Sequence, residues 1–167
     1  IHYFKSQNIE TTMITGDAKL TGEAVGRLVG VDQVFANVLP EEKSAIVDQL
    51  KREVGMTGMV GDGINDAPAL VNADIGVAMG DGTDIAIDVA DVVVMKNDLS
   101  KLGYAHRVSK RLNKIVQQNI IFSMLVVATL IILNFLGIAN IAFSVLIHEG
   151  STLVVIFNGL RLLVNTK

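Results

Sequence analysis

The sequence predicts an α/β domain with a largely parallel, Rossmann-type sheet over residues 1–99, followed over 100–167 by a basic linker helix and a two-helix membrane hairpin. Three observations predict it. Short β-rich runs bounded by Gly or Asp alternate with helical patterns through the first hundred residues, as an α/β fold requires. Charge is divided: residues 1–100 hold 16 of the 17 carboxylates, while residues 101–167 hold 7 of the 14 Lys and Arg against a single acid, Glu149. Such a split points to two environments. Finally, the chain is 50% hydrophobic but only 5% aromatic, with mean hydropathy +0.48, more apolar than a soluble domain of its length.

The elements follow in order. Ile1-His2-Tyr3-Phe4 opens in a helical pattern with no initiator Met or signal peptide, and the chain reads as a fragment of a longer polypeptide. Thr11–Thr15, Thr57–Val60, Ile75–Met79 and Val92–Met95 are the expected strands. Leu20, Ala24, Val25, Leu28 and Val29 recur at helical spacing. Pro40 suits a first helical position, with Glu41 and Glu42 in the first turn. From Ser100 the character changes: Lys101, Arg107, Lys110, Arg111 and Lys114 mark a basic helix running into the uncharged stretch Ile120–Leu136. The spans are expected over about 115–136 and 141–164, joined by a turn at Gly137–Asn140. Basic residues flank both outer ends and none lies in the turn, which places residues 1–114 and the C-terminus in the cytosol, the plasma membrane being the expected location. The competing reading, two buried helices of a large soluble core, sits poorly with helices apolar on all sides.

Absences narrow the function. No cysteine is present, so neither a disulfide frame nor a thiolate metal site exists within the chain. The acidic first half argues against nucleic acid as a partner.

In open parallel sheets, ligands bind beyond the carboxyl ends of the strands. Thr15-Gly16-Asp17 and Gly61-Asp62-Gly63-Ile64-Asn65-Asp66 fall there, and Lys43 begins the helix between them. Asp62 and Asp66, four apart, would share a face if a helix starts at this point with Pro68 in its first turn. Carboxylate oxygens beside a phosphate suit Mg²⁺, and Lys43 would offset phosphoryl charge while the Thr15-Gly16 turn donates to it. A lone GDG or TGD is more often a polar turn; three such features in successive units are harder to dismiss.

The runs TMITGD, LPEEK and MVGDGINDAPAL resemble the phosphorylation-domain motifs of P-type ATPases, within the haloacid-dehalogenase-like fold. The resemblance covers essentially the whole chain, and Met59–Leu70 is its most diagnostic part. It implies that Asp62 binds Mg²⁺ with Asn65 and Asp66 in support, that Thr15, Gly16 and Asp17 contact the phosphoryl group, and that Lys43 stabilises it. The family's phosphorylated aspartate lies in a DKTGT motif that this chain lacks, as it lacks the ATP-binding domain and the TGE-bearing actuator. The chain alone is therefore expected to be inert, its partners being ATP, the bilayer and the rest of the same polypeptide.

The second apolar stretch carries His148-Glu149-Gly150-Ser151-Thr152 near its middle. Ionisable side chains at that depth mark functional sites by default. On a helix His148 and Thr152, and Glu149 and Thr152, share much of one face, and Gly150 would permit local unwinding. Imidazole, carboxylate and hydroxyls (Ser151 the weaker) suit divalent Zn, Co, Fe or Ni rather than Cu⁺; the structural alternative is a His–Glu pair that links helices. HEGST resembles the HEG(G/S)T signature of the heavy-metal branch linked to cobalt, iron or zinc export. Asn119, Asn134 and Asn158 are expected to make structural hydrogen bonds. Asp74, Asp81, Asp84, Asp88 and Asp91 read as solvated loop positions. Two further functions stand beside metal export: a soluble phosphatase of the same superfamily and a non-catalytic membrane metal-binding fragment.

Overall fold

A computed structural model describes residues 1–95 and 98–164. Lys167, expected as the basic close of the second stretch, lies outside the described residues. The chain divides into two compact units, Ile1–Gly103 and Tyr104–Lys167.

In the first unit, helix α1 (His2–Ser6) leads into strand β1 (Thr12–Ile14), helix α2 (Lys19–Val29), β2 (Gln33–Phe35) and α3 (Glu42–Val54). There follow β3 (Gly58–Gly61), a 3₁₀ turn (Ile64–Asp66), α4 (Ala67–Asn72), β4 (Ile75–Met79), α5 (Asp84–Val89) and β5 (Val92–Val94). All pairings are parallel, and they form two sheets. β1 pairs with β2, and β3, β4 and β5 pair in that order. The four expected strands are present, and β2 is an addition. The helix expected at Pro40 starts two residues later, at Glu42, whose carboxylate accepts the Leu39 N–H at 2.9 Å.

β4 is covered on both faces, as a central parallel strand must be. Ala78 packs with Leu70 and Ala86 on one side. Val77 and Met79 pack with Val94 and Leu102 on the other. α2 approaches β2 through its glycines: a Cβ on Gly22 would stand 2.9 Å from Ala36 Cβ, and one on Gly26 would collide with Val34. The leucines of α2 lie outside, Leu20 82% and Leu28 87% exposed.

One device recurs at the amino-terminal edge of the sheets. An Asp just before a strand accepts a backbone N–H at the start of the strand before it. Asp32 takes that of Thr11 at 2.9 Å, Asp74 that of Thr57 at 2.8 Å and Asp91 that of Gly76 at 2.8 Å. Asp74 and Asp91 are exposed between elements, as expected from sequence, and each also serves as a clamp. The Lys5 ammonium at 2.8 Å, then the Thr11 hydroxyl and amide, hold the Asp32 carboxyl down to about 2. The Thr57 amide and then Lys51 lower that of Asp74.

Helix α6 (Ser100–Phe135) is one unbroken rod of 36 residues, and α7 (Ile141–Val164) has 24. At 1.5 Å per residue α6 is about 54 Å long, well over the roughly 30 Å of a hydrocarbon core. Each helix holds an 18-residue window of high mean hydropathy, 2.1 and 1.6, of which only 6% and 0% is buried. A core helix of a soluble protein would be mostly buried. Both helices are long and apolar enough to cross a membrane.

Candidate functional site

The first candidate site is built around Asp66. The backbone leaves β3 through Gly61, turns once in 3₁₀ form and enters α4 with Asp66 at its N-cap. Pro68 sits in the first turn of α4, where its missing N–H costs nothing. Asp66 is the one buried charged residue described, 7% exposed. Its Oδ1 accepts a hydrogen bond from Lys43 Nζ at 2.6 Å, and its Oδ2 accepts long contacts of 3.4 Å from the Asp62 and Gly63 amides. Gly61 has to be glycine here, because a Cβ would stand 2.6 Å from Asp66 Cβ.

Asp62 is not on the helix. The expected shared helical face with Asp66 gives way to a different geometry, because the helix starts only at Ala67 and Asp62 directly follows the strand. Its carboxylate is exposed and takes no hydrogen bond from any described residue. Its carbonyl accepts the Thr83 N–H at 3.0 Å. Behind it, a Cβ on Gly82 would stand 2.7 Å from the same carbonyl. The turn Gly80–Thr83 therefore props Asp62 from below, a role sequence reasoning missed. The signal was there: a second Gly-Asp-Gly run directly after a strand.

A cleft of about 420 Å³ joins Ile14 at the end of β1 to Lys43, Gly61, Asp62 and Asp66. Met79 and Leu99, not foreseen, also line it. Lys43, Asp62 and Asp66 are thus brought together. Thr15, Gly16 and Asp17 continue from Ile14 but do not line the cleft; the Asp17 amide donates to Thr15 Oγ1 at 3.1 Å and that hydroxyl to Asp17 Oδ2 at 3.0 Å. Asn65 is exposed on the 3₁₀ turn. The cleft lies between the two sheets, where β1 and β3 each present an unpaired edge.

The second candidate site lies in the hairpin. α7 runs unbroken through Gly150, so the unwinding that glycine permits is not used. The Ser151 hydroxyl donates to the His148 carbonyl at 2.6 Å and that of Thr152 at 3.3 Å, the back-bonding that hydroxyls adopt in apolar helices. His148 lines a groove of about 500 Å³ with Val127, Leu130, Ile131, Asn134 and Phe135. Glu149, a helical step of 100° away, is exposed and does not line it. Among the described residues no three His, Asp or Glu converge as a metal cluster. The asparagines do bond structurally. Asn158 Nδ2 donates to Asn119 Oδ1 at 2.8 Å, and Asn134 Nδ2 donates to Ser144 Oγ at 3.0 Å.

The profile of the haloacid dehalogenase-like hydrolases matches residues 1–74. Two ATPases of Bacillus subtilis (strain 168) extend the similarity through the hairpin. A zinc-transporting ATPase is 52% identical over 155 residues, 93% of this chain and 24% of the relative. A cadmium, zinc and cobalt-transporting ATPase is 44% identical over 158 residues, 92% of this chain and 22% of the relative. A crystal structure of a zinc-transporting PIB-type ATPase in the E2·Pi state superposes with TM-score 0.91 at 33% identity, over 98% of this chain and 27% of that one. This chain belongs to the heavy-metal branch of the P-type ATPases. It spans about a quarter of the length of these P-type ATPases. The superposition takes in both the parallel-sheet unit and the two spans, and the chain is an integral membrane segment of that family.

Proposed function

We infer that the chain supplies the Mg²⁺- and phosphate-binding half of a phosphoryl-transfer site, together with part of the ion path, in an ATP-driven exporter of a divalent transition metal. The observation that carries the reading is the pairing of a spoken-for carboxylate with a free one. Asp66 is engaged by Lys43, while Asp62, propped by the Thr83 amide, lines the cleft with a carboxylate that takes no hydrogen bond from any described residue. That donor set fits Mg²⁺, which takes one or two carboxylates and completes its shell with water and phosphate. When bound, the ion neutralises charge on phosphoryl oxygens. The chain's own residues do the rest. Asp66 fixes the loop that aims Asp62, and Lys43 stands 2.6 Å from Asp66, at the cleft wall, to offset phosphoryl charge. Thr15, Gly16 and Asp17, one step beyond the cleft, would reach the phosphoryl group with hydroxyl and amide, and Asn65 would support the site from the rim.

The facing edges of β1 and β3 are the proposed seat of a strand carrying the DKTGT aspartate, which this chain does not contain. ATP binding and the nucleophile then belong to a longer protein, and the chain by itself should neither autophosphorylate nor transport. In the membrane, His148 is the proposed principal ligand of the cargo ion. Glu149, Thr152 and, more weakly, Ser151 would join it on rearrangement of α7. Imidazole and carboxylate suit Zn²⁺, Co²⁺, Fe²⁺ or Ni²⁺, and zinc, cadmium and cobalt are the ions named for the two B. subtilis relatives. Residues 1–114 and the C-terminus are placed in the cytosol, and the protein in the plasma membrane.

Two measurements on the full-length protein test this. Asp62→Ala should abolish Mg²⁺-dependent phosphorylation by ATP, and retention of it would refute the metal assignment. ATPase stimulation across Zn²⁺, Co²⁺, Fe²⁺, Ni²⁺ and Cd²⁺ should change in affinity or ion profile with His148→Ala. If both stay as in the unmodified protein, the ion site lies elsewhere.

A further inference from the structure

From Asn140, just before α7, the residues Ser144, His148 and Ser151 follow at intervals of three or four, so they draw one polar line along a helix that is otherwise largely apolar. Four residues rise about 6 Å, and Ser144 is therefore one step from His148 toward the turn at residues 136–140. At that level α6 contributes Asn134, in its last turn. The Asn134 amide donates through Nδ2 to the Leu130 carbonyl at 2.8 Å and to Ser144 Oγ at 3.0 Å. A carbonyl can only accept, so these bonds fix which end of the amide is which. Both N–H groups are used in joining and bracing the helices. Oδ1 is left over, with no donor among the described residues.

That oxygen belongs to a side chain lining the same groove as His148, whose remaining walls are Val127, Leu130, Ile131 and Phe135. A helix-joining role accounts for the two N–H bonds and leaves Oδ1 open on an exposed side chain. A neutral amide oxygen in an otherwise apolar groove is a weak, hard ligand for a divalent cation. Conduction needs steps of that kind, strong enough to enter and weak enough to leave.

We propose that Asn134 Oδ1, held in place through Ser144, is the release-side ligand that a divalent cation meets after leaving His148. The proposal rests on the reading of the hairpin as a cation path. A charged oxygen at this position would retain the ion, and an apolar side chain would deny it a foothold, so the two substitutions act in opposite directions on one observable.

The experiment uses the full-length transporter in sealed inside-out vesicles, with the ion that the ATPase panel selects. Uptake driven by ATP is measured against graded luminal concentrations of that ion, and equilibrium metal binding is measured in detergent. Asn134→Asp should make luminal metal inhibitory at about tenfold lower concentration and Asn134→Leu at about tenfold higher, each tenfold being 1.4 kcal/mol. Both should bind metal at unchanged stoichiometry, which also shows that they fold. Shifts in the same direction, no shift, or loss of stoichiometric binding in either variant would overturn the relay. If His148→Ala still binds metal at full stoichiometry, the reading of the hairpin itself fails, whatever the Asn134 variants do.

Discussion

Two aspartates four residues apart carry opposite burdens. Asp62 is exposed, and its carboxylate has no partner among the described residues, so its removal should leave stability nearly unchanged while abolishing chemistry. Asp66 is buried against Lys43, whose side chain keeps 20% of its exposure. Asp66→Ala should cost about 2–3 kcal/mol, the low side of breaking a buried pair because Lys43 can still reach water. Denaturant melts of the detergent-solubilised protein followed by circular dichroism measure it. Asp32 gives a pH signature. Its carboxyl is depressed to about 2 in the fold, against an ordinary value of about 3.9. Its contribution is thus full above pH 4 or so and is lost as pH falls toward 2. The difference in melting temperature between the unmodified protein and Asp32→Asn should be constant near neutrality and vanish at about pH 2. The chemistry of Asp62, Asp66 and Lys43 was legible in sequence because glycines and carboxylates cluster at strand ends. Which of the two aspartates is paired was not, since spacing alone suggested a shared helical face that the 3₁₀ turn removes.

At the scale of elements, α2 shows where periodicity misleads. Its apolar repeat is real, yet the face that meets β2 is the glycine face, because only a bare backbone fits against Val34 and Ala36. Gly26→Ala gains about 1 kcal/mol of helix propensity and should still destabilise by about 1–3 kcal/mol through overpacking against a stiff valine. Thermal melts with Gly30→Ala as a companion separate the causes. Gly30 has open space around it but φ +81°, so that change strains the backbone alone. β2 escaped the sequence reading for a related reason. It has three residues, begins with Gln33 and takes its register from the Asp32 clamp, not from an apolar run. The longer strand β4 was legible because Ile75, Val77, Ala78 and Met79 fill most of it between Asp74 and Gly80.

For the molecule as a whole, the hairpin is held by polar pairs set into apolar surfaces. Asn119 and Asn158 join the two spans at 2.8 Å, and Arg111 Nη2 donates to the Arg161 carbonyl at 2.7 Å near the end of α7. A double-mutant cycle between Asn119→Leu and Asn158→Leu, read by denaturation in mixed micelles, should give a coupling of about 0.6 kcal/mol and no more than about 1.7. A coupling of zero would mean that packing alone sets the register. The spans themselves were plain in the sequence from length and hydropathy. The partnering of Asn134 with Ser144 across the turn was not, because nothing in a linear pattern says which faces of two helices meet.

The clamps of Asp32, Asp74 and Asp91 stand at the opposite end of the strands from the cleft. The demand they share is an oxygen that accepts one amide hydrogen, which several residue types meet, and the added Lys5 and Lys51 ion pairs of Asp32 and Asp74 are partly exposed and weak. The cleft end demands a particular charge at a particular atom. Genetic drift should therefore run at two speeds along one sheet. A saturation library selected for metal resistance should accept Asn or Ser at positions 32, 74 and 91 while rejecting every replacement at 62, so the same residue type would be negotiable at one edge and fixed at the other.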